Sequence, residues 1–178
     1  MLQVFKRNDI SAYIALLFIA LVCKLRYLLH PELIVPDTYS FDALFFNMNR
    51  LKSIFTNSPS LYLFLSIIAQ FIFAVYLNAV VISQKLYAQK NYFPALSFIL
   101  ITSFLPQLNY FSVAFMANAF LFAAFSTVLQ LSNSNQPRRA CFNIGLLVAL
   151  AVFFHFPVIV FLIVFILLIS IAHTARIS

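Results

Sequence analysis

Residues 60–83 run for 24 positions without one charged side chain. Wound as a helix, such a run is about 36 Å long, more than the roughly 30 Å of a bilayer's hydrocarbon core. A longer apolar run covers 142–172, and shorter ones cover 93–108 and 112–131. Across the chain 64% of residues are hydrophobic and 8% charged, whereas a soluble domain carries about 25% charge. The pattern predicts an all-α, polytopic membrane protein, a single transmembrane domain over 1–178.

Six membrane helices are expected. The first, Ile10–Leu29, carries Lys24 and Arg26 in its last third and stops at His30-Pro31, because a residue before proline avoids helical angles. Both cations are expensive at mid-bilayer, so they either snorkel to the interface or face a wet cavity. Lys6 and Arg7 before an apolar run resemble a signal peptide, but no small-x-small cleavage site follows. The segment therefore reads as an uncleaved first span. The second helix, 60–83, places Ser66, Gln70 and Asn78 within about a third of its circumference, a face that should look at other helices.

The third helix, 93–108, has Pro94 in its first turn, where a missing N–H costs nothing, and Pro106 where it should kink or end. The fourth, 112–131, follows closely enough to predict a tight hairpin with it. Ala119, Ala123 and Thr127 form a small-residue stripe there, suited to close helix packing. After a polar loop at 132–140, the run 142–172 would measure about 46 Å as one helix. Two short helices broken at Pro157 fit the bilayer better.

Between the first two helices lies the one long aqueous stretch. An extracytoplasmic loop over 31–59 holds Glu32, Asp37 and Asp42, three of the chain's four acids. Within it Phe41, Leu44, Phe45, Met48, Leu51 and Phe55 recur at steps of three and four. That stripe predicts an amphipathic helix lying at the membrane surface. With Lys6 and Arg7 cytoplasmic and six crossings, seven loop Lys/Arg fall inside (with Lys85, Lys90, Arg138, Arg139 and Arg176) and two outside (Arg50 and Lys52). This split follows the positive-inside rule and makes the acidic loop extracytoplasmic. The same scatter explains the net charge of +7 without nucleic acid.

One glycine in the chain excludes a P-loop or dinucleotide fingerprint. It also weighs against a secondary transporter, whose sites use Gly-interrupted helices and internal repeats. Cys23 and Cys141 show no metal or disulfide spacing, and three scattered histidines make no metal site. Neither a metal nor another cofactor is expected. What remains is a constellation that the topology brings to one membrane surface: Lys24, Arg26, His30, Asp37, Asp42 and His155. A carboxylate beside cations at the lipid interface suits a general base acting on a substrate whose phosphate Lys or Arg holds. The alternative is that Asp37 caps the surface helix and Asp42 and Arg50 face water on it.

The order of these features resembles the N-terminal half of the polyprenol-phosphate-dependent membrane glycosyltransferases of the GT-C class. The matching pieces are a first span ending in Lys24-Leu25-Arg26, an acidic loop with a surface helix, and a proline-led second span (Ser58-Pro59-Ser60). A proline at Leu105-Pro106-Gln107 and the corner Phe154-His155-Phe156-Pro157 follow. The resemblance implies Asp37 or Asp42 as catalytic residue and Lys24, Arg26, His30 and His155 near a lipid phosphate. It implies a polyprenyl-phosphate sugar donor as substrate. The chain departs from the class in length and in lacking adjacent acids. Its Phe/Ile/Asn-rich style and the FHFP corner are also similar to uncharacterised multi-spanning inner-membrane proteins of Bacteroidota. The expected place is thus a bacterial inner membrane with the N-terminus cytoplasmic. A non-catalytic subunit or scaffold working with other membrane subunits is the alternative, and a transporter the outsider.

Overall fold

The computed structural model describes residues 10–30, 53, 56–85, 87, 91–105, 108–131 and 136–177. Among these residues the protein is all-helical. Helix α1 spans Ile10–Leu29, α2 Pro59–Ser83, α3 Phe93–Phe104, α4 Val113–Leu129, α5 Pro137–Phe154 and α6 Val160–Ile177, with a 3-10 turn at Phe156–Ile159 between the last two. Three of them, α1, α2 and α5, are long and apolar enough to cross a membrane. Their outward side chains are apolar too: Phe18 is 65% exposed, Ile72 62% and Phe142 70%. A surface of that kind is made for lipid rather than water. The surface-helix stripe at 41–55 lies outside the described residues.

The helices fall into two compact units. In the first, α1, α2 and α3 pack on one another. Ala12, Leu16 and Ala20 line the inner face of α1 at four-residue steps and meet Ala74 of α2, Tyr92 at the N-cap of α3, and Ala95 and Ile99 within it. Small residues dominate because helices in lipid gain by close backbone approach, not by escape from water. The Tyr13 and Tyr92 rings meet edge to face, 5.0 Å between centroids. At the far end α2 closes with Lys85 in the left-handed region at φ 52°, its N–H donating to the Ile82 carbonyl at 3.1 Å. This is the usual helix stop, filled here without glycine.

In the second unit α4 packs along α5. The seam is Ala117, Leu121, Ala124 and Val128 against Ile144, Val148 and Ala151. Ala119, Ala123 and Thr127, the expected stripe, are only half-buried. The buried seam turns a different side of α4 toward α5. Helix α5 begins five residues earlier than the apolar run. Pro137 occupies its first turn, and the Arg138 and Arg139 expected in a loop ride exposed on that turn. The chain does break before Pro157: His155 is extended at φ −139°, ψ 100°, and its N–H caps the Ala151 carbonyl. Phe120 stacks on Phe154 at 5.5 Å beside this corner.

Candidate functional site

The first unit carries a polar seam through its apolar interior, and α2 supplies it. Tyr62, Ser66 and Gln70 stand at four-residue steps on one face of α2 and are all buried. Helix α3 explains why. It stops at Phe104 after 12 residues, about 18 Å of helix and well short of a crossing. Leu105 has gone extended, at φ −102°, ψ 110°, the conformation imposed on a residue before proline. The expected helix to 108 therefore ends four residues early.

Past the break, the Leu108 N–H turns back to the Leu105 carbonyl at 3.0 Å, but the Leu108 carbonyl and both backbone groups of Phe111 lie outside any α-helix, and lipid offers no replacement. The face of α2 does. Gln70 Nε2 donates to the Leu108 carbonyl at 2.6 Å. Ser66 Oγ accepts the Phe111 N–H at 2.8 Å and donates to the Tyr62 carbonyl at 3.0 Å. The Tyr62 hydroxyl donates to the Phe111 carbonyl. Asn109 serves the frayed end of α3, its Nδ2 donating to the Leu105 carbonyl at 3.0 Å. Its Oδ1 is buried with no partner among the described residues.

Lys24 enters this seam from α1. It is 2% exposed, and its ammonium donates to Gln70 Oε1. It continues the Ala12–Leu16–Ala20 row, so it points into the unit and does not snorkel outward. Gln70 is the twelfth of the 25 residues of α2, which sets the ammonium near the middle of a membrane-length helix. An ammonium offers three donors, and Gln70 takes one. All four acids of the chain, Asp9, Glu32, Asp37 and Asp42, lie outside the described residues.

No protein-family profile, no curated protein and no solved structure matches this chain. The site is therefore read from its own chemistry.

The other expected site residues are dispersed. Arg26 is exposed, about 200° around the helix from Lys24. His30 follows the end of α1, its N–H on the Arg26 carbonyl at 3.0 Å. His155 belongs to the second unit. Asp37 and Asp42 lie outside the described residues. Among the described residues no group of three His, Cys, Asp or Glu could hold a metal ion. Sequence reasoning selected Ser66, Gln70 and Asn78 as an inward face, and all three are buried. It missed Tyr62 and Asn109. Polar Gln107 and Asn109 directly after Pro106 were the available sign that a crossing unwinds there.

Proposed function

We propose that this chain is a multi-spanning protein of a bacterial inner membrane that binds the phosphate of a polyprenyl-linked sugar donor at Lys24. In this reading it transfers the sugar at the extracytoplasmic face, in the manner of the GT-C class. The observation that carries it is the buried ammonium, held by one neutral amide. A lone buried cation is several kcal/mol unfavourable unless an anion completes it. A phosphate does so with charge-assisted hydrogen bonds. All six helices count as crossings here, α3 together with the unwound 108–111. The N-terminus is cytoplasmic, and the acidic loop opens outside.

The chemistry follows from that placement. Asp37 or Asp42 accepts the proton of an acceptor hydroxyl as its oxygen attacks the anomeric carbon. The bond from that carbon to the phosphate oxygen breaks, and polyprenyl phosphate leaves. Lys24 holds the charge that grows on the departing phosphate, while Arg26 and His30, exposed at the same end of α1, are left to the lipid interface. For His155 the layout alone argues. In vesicles carrying a labelled polyprenyl-phosphate sugar and native membrane acceptors, Asp37→Asn or Asp42→Asn should cut turnover at least about 100-fold at unchanged expression. Full turnover in both single variants and in the double variant rejects the transferase. The reading then moves to a non-catalytic subunit, which α6 favours: between Val160 and Leu167 every side chain but Phe165 is exposed and apolar, a surface free for a second membrane protein.

A further inference from the structure

Gln70 holds both halves of the site at once. It is 3% exposed, with one end of its amide on the Leu108 carbonyl and the other on Lys24. A carbonyl only accepts and an ammonium only donates. The NH2 end must therefore face Leu108 and the oxygen must face Lys24, so chemistry leaves this amide a single orientation. A glutamine also differs from the carboxylate that would ordinarily meet a buried lysine. It holds the ammonium without neutralising it, and takes one of its three N–H donors.

We propose that Gln70 is the positioning residue of an anion site at Lys24, tying the direction of the ammonium to the unwound backbone at 108–111. The assignment rests on the phosphate reading given above. A glutamate at position 70 would form an internal ion pair with Lys24 and turn an acceptor oxygen toward the Leu108 carbonyl. A leucine would free the ammonium and the Leu108 carbonyl while leaving the charge in place, with Phe111 still held by Ser66 and Tyr62. Gln70 thus acts through Lys24 and does not itself contact the anion.

The full chain in phosphatidylcholine nanodiscs, titrated with undecaprenyl phosphate as the probe, tests this. Gln70→Glu should weaken binding at least 30-fold with an unchanged or higher unfolding temperature. Gln70→Leu should weaken it about 10-fold and raise maleimide labelling of Asn109→Cys, a position that is 2% exposed in the native protein. Lys24→Met combined with Gln70→Leu should bind no more weakly than Lys24→Met alone, a non-additivity that a merely structural glutamine would not produce. Native affinity in both Gln70 variants, or losses that add to that of Lys24→Met, overturns the positioning role and leaves the phosphate site standing. Native affinity in Lys24→Met removes the phosphate site itself. Should Gln70→Glu fail to fold, the leucine variant and its double mutant carry the test.

Discussion

Ser66→Ala should destabilise the first unit by about 1–3 kcal/mol, the cost of removing one partner from a buried hydrogen bond. A polar contact between membrane helices is worth about 0.6 kcal/mol on average, so the expected effect is larger than that mean. The reason lies in what Ser66 serves. Its hydroxyl accepts the Phe111 N–H on backbone that has left the helix, where lipid cannot take over. Ser97→Ala is the control: that hydroxyl is exposed and turns back onto its own helix at the Pro94 carbonyl. Reversible unfolding in mixed micelles should show the loss for Ser66 and a change within about 0.5 kcal/mol for Ser97. Equal effects would mean that α2 does not stitch the break.

Ala124→Leu should cost the second unit about 1–3 kcal/mol through overpacking. Ala124 and Ala151 are both fully buried in the α4–α5 seam, where two backbones approach over methyl groups. Three added carbons must push the helices apart or force a strained rotamer. Ala123→Leu, one residue along and half-buried, should be tolerated far better. The pair separates the observed seam from the small-residue stripe that sequence spacing favoured. Reversal of the order would restore that stripe.

That contrast shows where the sequence was readable. Charge and proline are rare and decisive in an apolar chain, so they set α1 at Ile10–Leu29, started α2 near Pro59 and broke 142–172 ahead of Pro157. Side-chain polarity also found the inward face of α2 through Ser66, Gln70 and Asn78. On α4, by contrast, nearly every face is apolar. Polarity then says nothing about packing, and residue size picked out a stripe other than the side that meets α5. Lys24 was undecidable from α1: whether a lysine snorkels or turns inward depends on an acceptor, and Gln70 lies 46 residues away. Pro106 was expected to kink or end its helix, and α3 does stop at Phe104, with Leu105 extended and no glycine nearby. Proline makes such a break where a partner helix can satisfy the exposed backbone, and Tyr62, Ser66 and Gln70 are that partner.

The central claim is that an anion completes the buried ammonium of Lys24. Native mass spectrometry of the protein released from nanodiscs tests it most directly, with undecaprenyl phosphate and neutral undecaprenol offered at equal concentration. The account predicts retention of the phosphate lipid over the alcohol, and loss of that preference in Lys24→Met with folding intact or improved, since an apolar side chain replaces a buried charge. Equal retention of both lipids, or a preference that survives Lys24→Met, would contradict it.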